Sequence, residues 1–478
     1  MVNSPRTTSI HILDDDSLLH VFYLYQPFLL GEDQDAGARL FGGGRGWARG
    51  RWWYRLTHVC QRWRNVIFGS ASYLDLALVC TYGTPVADML AHSPPLPLVV
   101  DYTEKGRNIT TDDEEGIILA LKQHERVLRV RLKVTSQRKF LAAMDEEYPI
   151  LEYLIIGPPD EDNNTTLIFP ETFRAPHLPH FRPRGFALPI GSRLLTTSVG
   201  LVTLSLVMLH PSTYFHPNNL LQWVALMPQL ETLSIYFEFS IPNRGVERQL
   251  THTPIIAPVT LPNLHHFLFR GVSTYLDALV HRITAPRLAK LDIDFFSQLT
   301  FSVPRLPQFI NSTENLRSES ATFKFFGEYV SVAVYPRELR VYSLGILVDG
   351  WHLDWQVSSM AKISDLFSQV FSAVGHLTLD HEEHSQSSEE HNKVERTEWR
   401  NFLRPFSNVK TLRIYDGLVQ ELSRCLELED GELPLELLPE LQELRYSGSG
   451  DTGDPFTSFI NARQNTGRPV TLVSDQDL

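Results

Sequence analysis

Residues 201–206 read LVTLSL, 230–235 LETLSI, 264–269 LHHFLF and 288–293 LAKLDI. Each is Leu-x-x-Leu-x-apolar, with Phe267 in place of the second leucine in the third copy. In a short strand, alternate side chains point to opposite faces. The second and third apolar positions of each copy therefore enter one core, and the residues between them face outward. The first position, one turn earlier, packs on its counterpart in the next copy. A single unit of this kind cannot bury its apolar face alone, so neighbours must stack.

The same unit recurs on either side of these stretches. Further copies are Leu151/Leu154/Ile156, Val374/Leu377/Leu379, Val409/Leu412/Ile414 and Leu441/Leu444/Tyr446, with a weaker one at Val127/Val130/Leu132. Helix signals lie between them. Thr111-Asp-Asp-Glu114 has the form of a capping box, and residues 217–226, 274–283, 359–372 and 396–404 have helical spacing. Strand–helix alternation along one chain predicts a parallel sheet with helices on its other side. Two stretches break the rhythm. Residues 319–347 are strand-rich, with alternating Val330, Val332 and Val334, and residues 380–396 (DHEEHSQSSEEHNKVER) read as a polar loop. Residues 454–465 read as a last helix and PVTLV from Pro469 as a last strand, which makes 454–474 the expected C-terminal cap.

The N-terminal region differs. In IHILDDDSLLHVFYLY (10–25), Asp14, Asp15 and Asp16 stand where an N-cap and first helical turn belong, and Leu18, Leu19 and Phe22 follow at helical spacing. Residues 27–51 begin at Pro27 and run into GGGRG (42–46), which cannot hold a helix, so an inserted loop is expected. A second helix is expected to resume near Trp52 and to carry THVCQRWRNVI.

These two halves resemble the F-box of cullin–RING ubiquitin ligase receptors. Leu13, Asp15, Asp16, Leu18, Leu19, Val21 and Phe22 match its first half. Val59, Cys60 and Trp63 match the Val-Cys-x-x-Trp of its second half, and Tyr73 and Leu74 match the trailing aromatic and leucine. The usual Leu-Pro opening is Leu13-Asp14 here, and the insertion separates the halves. The whole layout is similar to the F-box-plus-leucine-rich proteins that are abundant in mushroom-forming fungi. The resemblance implies an α/β chain in which a small all-α F-box module (1–74) precedes an irregular leucine-rich-repeat-like solenoid with a parallel sheet (75–478). It implies that Leu13, Leu18, Val21, Phe22, Val59 and Trp63 serve a Skp-type adaptor held on a cullin scaffold. The solenoid would then hold a target protein as the substrate receptor of an SCF-type ligase, with ubiquitin transfer done by partner proteins. A leucine-rich scaffold with no ligase role is the alternative.

Other chemistries find little support. The 478 residues carry a net charge of −13, whereas a phosphate-binding surface shows as an excess of Lys and Arg, so no nucleic acid partner is expected. Cys60, Cys80 and Cys425 form no Cys-x-x-Cys pair, which argues against a zinc site or a disulfide framework and for a reducing compartment. The Gly42–Gly46 run lacks the Gly-Lys-Ser/Thr of a P-loop. The Arg45, Arg49, Arg51 and Arg55 set with Trp47, Trp52 and Trp53 reads as a loop whose tryptophans pack back on the helices. His381, His384 and His391 among glutamates read as solvated. No metal, cofactor, catalytic residue or membrane span is expected, and the location implied is cytoplasmic or nuclear. On the outward row of the strands, Tyr236, Arg270, Arg413 and Tyr415 are the candidate target anchors, because Tyr and Arg dominate protein-binding hot spots.

Overall fold

Asp14 opens the first helix by accepting a hydrogen bond from the Ser17 amide at 2.7 Å, and that bond holds its carboxyl below the usual range. This is seen in a computed structural model that describes residues 13–26, 52–103, 107–133, 137–157, 167–189, 191–209, 215–237, 257–296, 301–316, 319–336, 341–381, 394–428, 435–447 and 454–474. The loop expected over 27–51, with its glycine run, and His384 and His391 of the polar stretch lie outside these residues. The chain divides into two compact units, Met1–Val199 and Gly200–Leu478.

In the first unit, α1 (Asp15–Tyr25) is followed by α2 (Trp52–Thr57) and α3 (Gln61–Gly69). The single helix expected from Trp52 is thus two, because the backbone straightens at Cys60 (φ −161°, ψ 169°) before α3 begins. The Phe22 ring meets Trp63 edge-on at 4.9 Å, and Arg62 pairs with Asp15 at 2.8 Å, so α1 and α3 are joined by an apolar and a charged contact. Trp53 is buried against Tyr54 and Phe68, in line with a tryptophan packed back on the helices.

From there strands and helices alternate: β1 (Leu78–Cys80), α4 (Val86–His92), β2 (Leu98–Tyr102), α5 (Thr111–Leu121), β3 (Val127–Lys133), α6 (Gln137–Ala143), β4 (Tyr153–Gly157), β5 (Leu167–Ile168), β6 (His180–Pro183), β7 (Phe186–Ala187) and α7 (Arg193–Thr197). β1, β2, β3, β4 and β6 form one parallel ladder in that order. The capping box of α5 sits one residue earlier than the sequence suggested. Thr110 caps, and Asp113 reciprocates while also accepting from the Gly83 amide at 2.8 Å. Burial pushes the Asp113 carboxyl up, but these hydrogen bonds outweigh it and hold the group below its usual value. β6 is a repeat that the leucine pattern does not reveal: its inward positions are Leu178, Phe181 and Pro183. Phe169 explains the larger side chain at 181. Its ring lies 5.2 Å from Phe173, 5.7 Å from Phe181 and 6.0 Å from Phe186, so here aromatics fill the volume that leucines fill elsewhere.

The second unit contains β8 (Thr203–Leu209), α8 (Pro217–Val224), β9 (Thr232–Phe237), β10 (Val259–Thr260), β11 (His266–Gly271), α9 (Ser273–Val280), β12 (Ile283–Thr284), β13 (Lys290–Phe295), α10 (Leu306–Ser312), β14 (Ser320–Phe325), β15 (Tyr329–Tyr335) and β16 (Leu344–Asp349). It continues through α11 (Leu353–Leu366), α12 (Ser368–Phe371), β17 (His376–His381), α13 (Arg396–Leu403), β18 (Thr411–Ile414), α14 (Asp416–Leu426), β19 (Glu443–Tyr446), α15 (Thr457–Asn465) and β20 (Thr471–Ser474). The inward leucines are fully buried, as the spacing requires: Leu204 and Leu206, Leu233 and Ile235, Leu412 and Ile414 all have negligible exposure.

The break at 319–347 is an insertion into the ladder. β13 pairs in parallel not with the next strand in the chain but with β16; β15 lies antiparallel between β16 and β14, and β14 pairs in parallel with β17. An odd number of meander strands restores the original direction, so the parallel repeat resumes at β17. Phe323, Phe325, Val330, Val332, Val334, Leu344, Ile346 and Val348 are all buried, so the meander keeps the same core face. Phe323 meets Phe371, Phe402 and Phe406 at 5.8, 4.9 and 5.7 Å, which ties this sheet segment to the helices behind it.

Candidate functional site

The outward row is built by register. Tyr236, Arg270, Asp294 and Leu347 lie side by side across β9, β11, β13 and β16, and Ser234, Leu268, Asp292 and Gly345 form the rung before them. The two rungs differ. Ser205, Ser234 and Leu268, expected to face the open side, are buried. They are short or apolar residues that stand side by side, Ser205 beside Ser234 and Ser234 beside Leu268.

The charged groups interlock. The Arg270 guanidinium pairs with Asp294 at 3.4 Å and with Asp349 at 3.5 Å, and it also lies 5.6 Å from the centre of the Phe296 ring. Burial pushes Asp294 up to about 6, with Arg270 opposing and the Asp349 carboxylate adding to the rise. Burial likewise raises Tyr236 to about 12, helped by Asp292 and Asp294. Beside this group, Asp292 lies 2.9 Å from the His266 ring and 3.2 Å from Lys290, whose ammonium sits 4.3 Å from the centre of the Tyr342 ring. The close approach depends on Gly345: a Cβ there would stand 2.7 Å from the Asp292 carboxylate and 3.0 Å from the Tyr342 ring. The result is a partly desolvated surface of both charge signs with aromatic edges, which suits contact with a polypeptide.

The structure brings Tyr236 and Arg270 together and places Arg413 and Tyr415 elsewhere. From β11 to β18 the order runs through β13, β16, β15, β14 and β17, so about 4.8 Å per strand puts Arg413 roughly 29 Å from Arg270. Tyr415 is not in the strand. It is the N-cap residue of α14, and its ring receives the Arg413 guanidinium at 5.0 Å. Arg413 and Arg445 are register partners and line a shallow depression with His376, Thr378, Thr411 and Glu443. Asp349, Tyr342 and Gly345 escape sequence reading because nothing in the repeat pattern shows that β16 jumps to the side of β13. Arg445 was legible in principle, as the outward residue of the Leu441/Leu444/Tyr446 copy.

On the N-terminal helices the adaptor set divides by exposure. Leu18 and Phe22 are buried, Leu13 and Trp63 are half-buried, and Val21 and Val59 are exposed at 43% and 57%. Tyr23, Leu24, Tyr25 and Tyr73 are exposed as well, with Tyr23 and Tyr73 rings 5.4 Å apart. Among the described residues, no group of three His, Cys, Asp or Glu side chains is placed to hold a metal ion. No described helix is long and apolar enough to cross a membrane.

No family model matches the chain, and no curated protein matches it. Among solved structures it is similar to the leucine-rich repeat-containing protein LegL7 from Legionella pneumophila. That similarity covers 82% of this chain and 98% of that one, at 10% identity with a TM-score of 0.25.

Proposed function

We propose that the chain is a non-catalytic receptor that holds a target protein on its repeat sheet and docks through its N-terminal helices on a Skp-type adaptor of a cullin–RING ligase, with ubiquitin transferred by the partner proteins. The observation that carries the protein-binding part is the outward face of β9, β11, β13 and β16, where Tyr236, Arg270, Asp294, Asp292, Lys290 and Tyr342 form one partly buried surface of mixed charge. Interface centres combine aromatic and arginine anchors with satisfied polar neighbours in this way. The adaptor part is supported by the motif residues Val21 and Val59, which are exposed while Leu18 and Phe22 form the helix core beneath. The test is affinity capture of the tagged full-length chain from cells, followed by identification of partners. Recovery of adaptor and cullin supports the ligase role. Recovery of target proteins without them reduces the reading to an interaction scaffold.

A further inference from the structure

The outward positions of β3 are Arg129, Arg131 and Lys133, alternating with buried Val130 and Leu132. Two strands away, His180 and Arg182 of β6, followed by Arg184, hold the same positions. Between these rows β4 contributes Tyr153, Ile155 and Gly157, in register with Arg129, Arg131 and Lys133 on one side. Tyr153 and Ile155 are in register with His180 and Arg182 on the other. Strands are spaced about 4.8 Å apart, so two basic rows stand roughly 10 Å from each other over an uncharged floor. Gly157 lets Arg184 come in close at the end of β4: a Cβ there would stand 2.8 Å from the Cβ of Arg184. The Tyr153 and His180 rings lie 5.7 Å apart at the other end.

Acids balance part of this charge. Asp101 pairs with Arg131 at 3.3 Å with its side chain 8% exposed, and Glu152 lies 3.4 Å from Arg129. Each basic side chain of the two rows has contacts within the chain, so the surface is distinguished by its sum of charge and not by vacant donors. That sum is positive in a chain whose net charge is −13.

We propose that this trough binds an extended acidic polypeptide segment with carboxylates at successive residues, alternate ones facing opposite rows. The proposal rests on the reading of the chain as a protein receptor and names a chemistry for part of its target. In an extended segment, residues i and i+2 fall on one side about 6.7 Å apart, the same period that spaces Arg129, Arg131 and Lys133 along β3. The segment's intervening side chains fall on the opposite side, toward His180, Arg182 and Arg184, while its backbone runs over Tyr153 and Ile155. A single nucleic acid strand is the less suitable occupant, because it is held by successive aromatic platforms and the floor offers one tyrosine.

The experiment uses the purified full-length chain and fluorescence anisotropy. The probes are a labelled peptide alternating Glu and Ala, a peptide of the same composition with its glutamates contiguous, and an oligothymidylate of equal charge. The peptide with contiguous glutamates is expected to bind saturably and most tightly, and more weakly as salt rises. Lys133→Glu/Arg182→Glu is expected to weaken it roughly tenfold or more, since each exposed pair is modest alone and both are reversed. Lys133→Gln/Arg182→Gln keeps the test decisive if the reversed pair misfolds, and Arg129→Lys should retain binding. Equal binding of the two peptides, tighter binding of the oligothymidylate, or binding unchanged in both double variants overturns the proposal. Adaptor capture is measured separately and does not depend on the trough, so a failure here is distinguishable from failure of the receptor reading.

Discussion

At Asp294, burial and a neighbouring carboxylate act against one arginine. The folded chain holds this proton to a pH of about 6, against 3.8 for an ordinary aspartate. As pH rises through that window, the unfolded chain has released a proton that the folded chain retains, so native stability falls with rising pH. Asp294→Asn removes the effect. The stability difference between wild type and variant should therefore shift against the wild type by about 1–3 kcal/mol between pH 4 and pH 6.5, read from urea midpoints. A difference that stays constant over this range would show that Asp294 ionises normally. The same residue marks a limit of sequence reading. Tyr236 and Arg270 were legible from the outward period of their own strands. The raised carboxyl was not, because half of its environment is Asp349, brought in by a strand far along the chain.

At the scale of elements, the leucine spacing places β3, β4, β8, β9, β11, β13, β17, β18 and β19 by local signal and misses β6, where aromatics replace leucines. Helix bounds follow less closely: the helix expected at 359–372 begins at Leu353 and ends as a separate turn, Ser368–Phe371. The order of the meander was illegible for a physical reason. β14, β15 and β16 all alternate buried and outward residues, and such alternation sets a strand's face but not its neighbour. The C-terminal pair of elements was legible. α15 and β20 lie where the last helix and strand were expected, and Phe456, Phe459 and Val470 are buried. Arg463, fully buried, donates to the carbonyls of Pro439 and Leu441 at 3.1 and 3.2 Å and so fastens α15 to the preceding repeat. Arg463→Ala leaves these carbonyls without that donor and should cost about 2–3 kcal/mol. Truncation before Asp454 should cost more, because it also uncovers the β19 layer. Thermal melting of both proteins checks the order, and a truncated chain as stable as wild type would show that α15 and β20 do not cap the core.

At the scale of the whole molecule, a receptor that joins an adaptor to a target needs two surfaces that fail independently. The two proposed surfaces share no residue: Val21 and Val59 are exposed on the first unit, and Tyr236 and Arg270 lie on the second. Substitutions at sites without common partners act additively, so each can be removed alone. The structure also guides the choice of variant. Replacing Leu18 or Phe22 would empty a helix core and confuse unfolding with lost docking, whereas Val21→Asp/Val59→Asp places charge on exposed positions. Burying an unpaired carboxylate in a contact is costly, so this variant should lose adaptor and cullin capture roughly tenfold or more while its melting temperature is kept. It should retain the partners that depend on the repeat sheet. Tyr236→Ala/Arg270→Ala should show the converse, with adaptor held and target lost, and both double variants should leave the target undegraded in cells. If Tyr236→Ala/Arg270→Ala keeps every repeat-dependent partner with adaptor binding intact, the target is held elsewhere, and the Arg413–Arg445 depression is the next surface to change.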